Sequence, residues 1–196
     1  MKPRRILLIQ GHPDPQGGHL CHALALAYAD GSAESAHELR HVDVAQLDFP
    51  VLRSAAEWQT TPAPASLLAA QQAIEWAQHL VLFFPLWMGD MPALLKAFLE
   101  QVARPGFAFH DDNSGGFGKK GLAGRSARVI VTMGMPALVY RYYFRAHGVK
   151  SLERNVLGFV GMAPVRETLV GMVDELDPAS AQKWFDKMRA LGLKAA

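Results

Sequence analysis

The sequence has few cysteines and no long apolar runs. Cys21 is the single cysteine among 196 residues, which excludes an intrachain disulfide and indicates a reducing compartment. The apolar run at residues 6–9, behind a basic amino terminus, is too short for the core of a signal peptide. No stretch reaches the length of a membrane span. We therefore expect a cytoplasmic protein that does not insert into membranes.

A strong charge of either sign is also missing. Lysine and arginine number 20 against 18 aspartates and glutamates, giving a formal charge of +2. The only loose basic group comprises Arg141, Arg145 and Lys150, which is too little for a nucleic-acid-binding face. Half of the residues are apolar and 19% are charged, which is typical of a globular protein with a large core. We expect one domain over residues 1–196.

The periodicity of apolar residues predicts alternating strands and helices. Strands are predicted at residues 5–10, 38–44, 80–84, 127–132 and 164–173. Helices are predicted near residues 20–30, 65–78, 92–102 and 152–157, and from Asp177-Pro178 to about Leu191-Gly192. Residues 47–52 contain Pro50 and are predicted to be extended outside the sheet, and residues 105–125 are glycine-rich and predicted to be irregular.

This order of elements predicts an α/β fold with parallel strands. Five strands favour a flavodoxin-like doubly wound sheet, with helices on both faces, over a six-stranded dinucleotide-binding fold. In such sheets ligands bind at the loops that follow the carboxyl ends of the strands.

The first such loop covers residues 11–19. Gly17 and Gly18 allow close approach of backbone amides to a phosphate at the start of the next helix, and His12 and His19 could donate hydrogen bonds to it. The loop lacks the lysine of a P-loop, so triphosphate hydrolysis is not expected. A tight loop shaped by prolines, with two solvated histidines, explains the same residues equally well. Metal binding by the histidines is rejected because no ligand set is complete.

The second loop, residues 85–89, contains Trp87, Met88 and Gly89. A flat apolar ring with polar edges could lie against Trp87 and accept hydrogen bonds from the loop amides. Alternatively, Trp87 and Met88 pack on a neighbouring loop or on a partner chain.

The third candidate begins at residues 132–134 and continues into YRYYFRAHG at residues 140–148. Tyr140 and His147 could donate hydrogen bonds to a developing negative charge. Tyr140, Tyr143, Phe144 and His147 also have helical spacing, so a half-buried helical stripe is the competing interpretation.

Together these motifs resemble the flavodoxin-like NAD(P)H:quinone oxidoreductase family, which includes modulator-of-drug-activity proteins and potassium-efflux ancillary reductases. The resemblance is carried by GHPDP at residues 11–15, FFPLWMGDMPALLKAFLEQV at 83–102, RPGFAF at 104–109 and TMG at 132–134. Residues 83–109 are its most specific part because three motifs occur there in order.

The resemblance implies a site for each part of a flavin. The phosphate would be held by His12, Gly17, Gly18, His19 and Leu20. The isoalloxazine ring would be held by Pro85, Leu86, Trp87, Met88 and Gly89, with Thr132, Met133 and Gly134 at its other edge.

The resemblance also implies catalytic and pocket residues. Tyr140 and His147 match a tyrosine and a histidine that stabilise charge on the reduced ring. Their interval is one residue longer than in the vertebrate enzymes, so Tyr142 and Tyr143 remain candidates for the tyrosine. Phe107 and Phe109 would line a substrate pocket completed by the second subunit of a homodimer.

The implied activity is two-electron, ping-pong transfer from NADH or NADPH through the flavin to a quinone-type acceptor. FAD is favoured as the flavin, with FMN as the alternative. Two other hypotheses remain: a flavin-binding regulatory or electron-carrier subunit, for example of a transporter, and a flavin-free phosphate-binding protein.

Overall fold

Five parallel strands form the main sheet of the computed structural model, which describes residues 2–110 and 119–196. The strands are β1 (Arg5–Gln10), β2 (Glu38–Asp43), β3 (His79–Pro85), β4 (Ser126–Thr132) and β5 (Val165–Val170). Their order across the sheet is β2-β1-β3-β4-β5. This order is the flavodoxin-like winding, so the predicted fold class is confirmed.

The central strands are buried on both faces, as their unbroken apolar sequences predict. Along β1, Leu7 and Ile9 enter the core on one side of the sheet, while Ile6 and Leu8 enter the core on the other side. β2 lies at an edge of the sheet and keeps polar residues in contact with solvent. The alternation of side chains along each strand therefore builds two separate cores.

Seven helices accompany the sheet in the part of the chain that the structure describes. They are α1 (Leu20–Glu34), α2 (Ala55–Thr60), α3 (Leu68–Trp76), α4 (Ala93–Val102), α5 (Ala137–Tyr142), α6 (His147–Ser151) and α7 (Pro178–Lys194). Short 3-10 turns lie at Val44–Gln46, Ala65–Leu67 and Val173–Glu175. None of the helices within residues 2–110 and 119–196 has the length and apolarity needed to cross a membrane.

The helices lie on both faces of the sheet. Leu24 and Tyr28 of α1 share one core with Met188 of α7. The other core includes Ile74 of α3 and Phe98 of α4. Helices therefore supply the opposite wall of each of the two cores.

Glycines bring α1 and α7 into backbone contact. A Cβ atom on Gly31 would lie 2.1 Å from the carbonyl oxygen of Arg189, and one on Gly192 would lie 2.1 Å from that of Tyr28. Any larger residue at either position would force the two helices apart.

Several predicted boundaries differ from the structure. α1 continues four residues beyond residue 30, to Glu34, and the helix predicted at residues 65–78 is a 3-10 turn followed by α3. The helix predicted at 152–157 is a π-helical turn, Leu152–Leu157, that continues α6. Residues 105–125 are not wholly irregular, because Phe109–His110 pairs antiparallel with Lys119–Lys120. Residues 111–118 lie outside the described residues.

Candidate functional site

Three loops lie together at the carboxyl edge of the sheet. The Leu86 amide, after β3, donates a hydrogen bond of 2.7 Å to the carbonyl of Thr132 at the end of β4. The ring of His12, after β1, lies edge-on to the ring of Trp87 with their centroids 6.2 Å apart. The structure therefore brings together the three loops in which the sequence placed candidate site residues.

Hydrogen bonds hold the first loop in a defined conformation. The backbone amide of His12 donates to Gln10 Oε1 at 3.1 Å, and the amide of Asp14 donates to His12 Nδ1 at 3.1 Å. Because Nδ1 accepts, the neutral His12 ring carries its proton on Nε2. His19 stacks on His12 at a centroid distance of 3.9 Å and places Nε2 2.8 Å from Asp14 Oδ2.

The charge state of His12 follows from this packing. Burial, reinforced by the neighbouring His19 and His22, lowers the pKa of His12 to about 4. The ring is therefore neutral at pH 7, and Nε2–H is its hydrogen-bond donor. Of the two histidines expected to be solvated in the competing interpretation, His12 is buried and His19 is exposed.

The residues around the start of α1 fit a phosphate group. Gly17 and Gly18 have φ angles of +74° and +80°, which L-residues with side chains adopt at a cost. The N-cap residue, His19, makes no side-chain hydrogen bond to the helix, so the amides of the first turn are not capped from within. Leu20 begins this 15-residue helix and is half-buried. These features suit an anion at the positive end of the helix.

The second loop contains a tight turn between Trp87 and Asp90. Trp87 N donates to Asp90 O at 2.9 Å, and Asp90 N donates to Trp87 O at 3.0 Å. Met88 and Gly89 between them have φ angles of +50° and +82°, which is typical of a type I′ turn. Within the described residues, the amides of Met88 and Gly89 form no backbone hydrogen bond.

Apolar side chains project from this turn into solvent. Trp87 is 51% exposed and Met88 is fully exposed, whereas Pro85 and Leu86 before them are half-buried. Exposed apolar side chains beside unpaired amides can bind a planar ring that has polar edges.

The buried side chain of Tyr140 is hydrogen-bonded to this turn. Its hydroxyl donates to the carbonyl of Gly89 at 3.1 Å and accepts from the amide of Val149 at 3.3 Å. The side chain is buried, and burial raises the pKa of its phenol. Gly148 packs equally closely, since a Cβ there would lie 2.5 Å from the Gly89 carbonyl oxygen. Two residues of the α5–α6 segment therefore position the turn.

The other members of the aromatic, basic segment face solvent. Tyr142 and Tyr143 are exposed, and so is His147, the first residue of α6. Of the helical stripe suggested by spacing only Tyr140 is buried, since α5 ends at Tyr142 and the positive φ angles of Arg145 and Ala146 separate that helix from His147. The assignment of Tyr140 and His147 to catalysis stays a prediction.

The third loop is accessible mainly at its glycine. Thr132 and Met133 are buried, and Met133 N donates to Val170 O at 2.9 Å. Gly134 is exposed, and a Cβ there would approach only the end of the Asp174 side chain, at 2.9 Å.

Phe109 lies in an apolar groove rather than among the three loops. Its ring contacts those of Trp58 and Phe159, at centroid distances of 5.3 and 5.6 Å. The groove has a volume of about 220 Å³ and includes Leu99 and Val156. Phe107 is half-buried and packs against the core. Sequence reasoning missed Trp58, which lies far from Phe109 in sequence and belongs to the unpredicted α2.

Arg104, also missed, ties α2 to the end of α4. It is buried, and its guanidinium donates to the carbonyl of Glu57 at 2.6 Å, to that of Gln101 at 3.3 Å and to Gln101 Oε1 at 2.5 Å. This bonding fixes the chain just before Phe107 and Phe109.

Comparisons with known proteins agree with this architecture. A family model described as flavodoxin-like fold matches residues 4–191. Over 72% of its length the chain is 30% identical to the glutathione-regulated potassium-efflux system ancillary protein KefG of Shigella dysenteriae serotype 1. The matched segments span 64% of the length of the first curated relatives.

Two solved structures share the fold. The NAD(P)H:quinone oxidoreductase from Methanothermobacter marburgensis superposes with a TM-score of 0.80 at 20% identity, over 98% of this chain and 97% of that one. An FMN-dependent NADH-azoreductase from Bacillus anthracis superposes with a TM-score of 0.75 at 17% identity, over 98% of this chain and 99% of that one.

Proposed function

The chain belongs to the flavodoxin-like fold family, and we propose that it is a flavin-dependent NAD(P)H:quinone oxidoreductase. The observation that carries the proposal is the convergence of three loops, joined by the Leu86–Thr132 hydrogen bond and the His12–Trp87 contact. Each loop offers a different part of one binding surface. The three loops together offer a phosphate-binding loop, an exposed apolar surface for a planar ring, and a second loop that borders the other edge of that ring. This combination matches a flavin better than any smaller ligand.

Each loop has a distinct role in this proposal. The first loop binds the flavin phosphate with the uncapped amides of α1 and the neutral donor His12 Nε2–H. The second loop holds the ring against Trp87 and directs the amides of Met88 and Gly89 at its polar edge. Gly134 in the third loop leaves room for the opposite edge, because its backbone is exposed.

When bound, a flavin would supply the redox chemistry, namely two-electron transfer from NADH or NADPH to a quinone-type acceptor in a ping-pong cycle. Tyr140 keeps the Gly89 turn in place, and this indirect effect is the role best supported by its two hydrogen bonds. His147, exposed at the start of α6, is available to donate to the reduced ring or to a substrate. Tyr142 and Tyr143 are available for the same reason.

The proposal includes a second subunit. The groove of Trp58, Phe109 and Phe159 is an apolar surface of the kind that subunit contacts cover. A homodimer formed there would bring Phe107 and Phe109 of one copy towards the site of the other. We further propose that residues 1–196 act as one flavin-binding domain. We also propose a cytoplasmic location, which the buried thiol of Cys21, free of any disulfide, supports.

Reconstitution with flavin tests the proposal. The protein is incubated with FAD and separately with FMN, freed of excess cofactor, and scanned for flavin absorbance. We expect a yellow complex that NADH or NADPH bleaches without oxygen and that a simple quinone restores, with repeated turnover. A colourless preparation with both flavins would contradict the proposal and leave a flavin-free phosphate-binding protein. The sequence resemblance favours FAD, whereas the azoreductase neighbour is named as FMN-dependent, so relative affinity decides between them.

A second candidate function is an ancillary flavin-binding subunit of a transporter. The 30% identity to an ancillary protein of a potassium-efflux system favours it. Tight flavin binding with only a single reduction by NAD(P)H, and no sustained quinone turnover, would support this alternative over the enzyme.

A further inference from the structure

A second cavity lies at the opposite edge of the sheet, where the strands begin. It has a volume of about 410 Å³ and is bounded by the first residues of β3 and β4, by Arg4, by Arg166 of β5 and by Lys194 at the end of α7. β1 is six residues long, so this cavity is about 20 Å from the loops at the carboxyl edge. Its size is within the range of small-molecule sites.

The charged side chains that line the cavity within the described residues are all positive, and the terminal carboxylate of Ala196, which also lines it, offsets only part of their charge. Arg4, Arg166 and Lys194 contribute three cations, and the described residues that line the cavity include no aspartate or glutamate side chain. The guanidinium of Arg4 donates only to neutral oxygens, namely the Ala195 carbonyl at 2.8 Å, Ser126 Oγ at 2.9 Å and the Gln78 carbonyl at 3.3 Å. In the described part of the chain, none of the three cations forms an ion pair with a side chain. Like charges held together in this way repel one another unless an anion joins them.

A buried histidine gives an independent indication of a ligand. His79, the first residue of β3, lines the cavity and is 3% exposed. Its Nδ1 lies 2.8 Å from Ser126 Oγ, whereas its Nε2 is buried without a hydrogen-bond partner among the described residues. A buried polar atom without a partner is costly and rare in native proteins. Next to it, the buried Arg128 also leaves its Nε without a partner in that part of the chain.

We propose that this cavity binds a small phosphate-bearing anion, independently of any flavin at the other edge. Three cations balance a doubly charged phosphate better than a single carboxylate. Arginine forks suit tetrahedral oxyanions. Ser126 Oγ accepts from Arg4, and its hydroxyl proton is donated to His79 Nδ1, so the neutral imidazole carries its proton on Nε2. Burial together with Arg4 and Arg128 lowers the pKa of His79 to about 3, so at neutral pH the imidazole is uncharged and the positive charge of the lining comes from the arginines and the lysine.

Imidazole NMR with inorganic phosphate tests the proposal on the whole protein. Phosphate is titrated into nitrogen-15-labelled protein at constant ionic strength, with chloride and acetate as parallel titrations. We expect a saturable shift of the His79 ring resonances with phosphate, and not with chloride or acetate. Binding of phosphate at the flavin loop would shift the resonances of His12 and His19 instead, so the two sites are read separately.

Charge-removing variants provide the second readout. Arg166→Gln and Lys194→Gln change exposed side chains, so the protein should stay folded, and each should weaken phosphate binding by at least about tenfold. Arg154→Gln, an exposed arginine that does not line the cavity, is the matched control and should leave the affinity unchanged. No saturable His79 shift, equal shifts with acetate, or unchanged affinity in both cavity variants would overturn the proposal.

Discussion

The hydroxyl of Tyr140 donates a hydrogen bond of 3.1 Å to the carbonyl of Gly89, 51 residues earlier in the chain. The same hydroxyl accepts from the buried amide of Val149, so one phenol links the turn after β3 to α6. The accessibility of the Met88 and Gly89 amides therefore depends on a residue that has no exposed surface of its own.

Replacing Tyr140 with phenylalanine should loosen this turn. The Val149 amide loses its acceptor, and we expect a loss of about 1–2 kcal/mol in the free energy of unfolding together with weaker flavin binding. Urea unfolding and a flavin fluorescence titration measure the two effects. Tyr142→Phe, which changes an exposed phenol, is the control for stability and should leave the free energy of unfolding unchanged. Unchanged stability in Tyr140→Phe would show that the two hydrogen bonds add nothing to the fold.

Trp87→Ala should separate binding from stability. Since Trp87 is 51% exposed, its removal should change the free energy of unfolding by less than about 1 kcal/mol. Loss of the ring platform should weaken flavin binding at least about tenfold. The control is Trp184→Ala, which removes a tryptophan of α7 and should leave flavin affinity intact. If Trp87→Ala bound flavin as tightly as the parent, Trp87 would serve packing against His12 alone.

Arg104→Met should destabilise the protein strongly. The methionine fills part of the space but leaves the buried carbonyl and Oε1 of Gln101 without their arginine donor, which should cost about 3 kcal/mol, whereas the Glu57 carbonyl keeps its bonds from Thr61. Chemical denaturation measures the loss, with Arg154→Met as an exposed control. A loss equal to that of the control would mean that solvent replaces the arginine at no cost.

Acidification should destabilise the fold through His79. Burial lowers its pKa to about 3 from the ordinary 6.5. Between these two pH values His79 is therefore protonated in the unfolded chain and neutral in the folded protein. The stability associated with the neutral ring is therefore complete above pH 6.5 and falls as the pH drops towards 3. At pH 5 the loss from this residue should be on the order of 2 kcal/mol.

The variant His79→Asn isolates that contribution, because asparagine retains a polar group near Nδ1 but does not titrate. Unfolding free energies at pH 7 and pH 5, in phosphate-free buffer, should differ less in His79→Asn than in the parent protein. Equal differences would show that other groups cause the acid sensitivity.

Much of the sheet could be predicted from local sequence, because strands buried on both faces leave unbroken apolar runs such as residues 6–9. Strand order could not, since parallel pairing joins residues far apart, as when Ile9 pairs with Leu82. α2 was missed because it has no buried residue and is held by Arg104 from another element.

The candidate site, like the sheet, was only partly predictable from local sequence. Glycines and exposed apolar residues indicated where the loops lie, since both have local signatures. The positive φ angle of Met88 and the inward direction of Tyr140, among tyrosines at adjacent positions, are set by tertiary contacts. Helical spacing alone treats Tyr140 and Tyr143 alike, but α5 ends at Tyr142, so Tyr143 lies exposed just beyond the helix.

The backbone contact between α1 and α7 also determines when folding can be completed during synthesis. α1 is complete once residue 34 has been made, but the helix that covers its Gly31 face begins only at residue 178. Synthesis of the intervening segment takes on the order of ten seconds. During that delay the Gly31 face of the nascent helix has no native cover, so the protein completes its fold only when its last helix emerges.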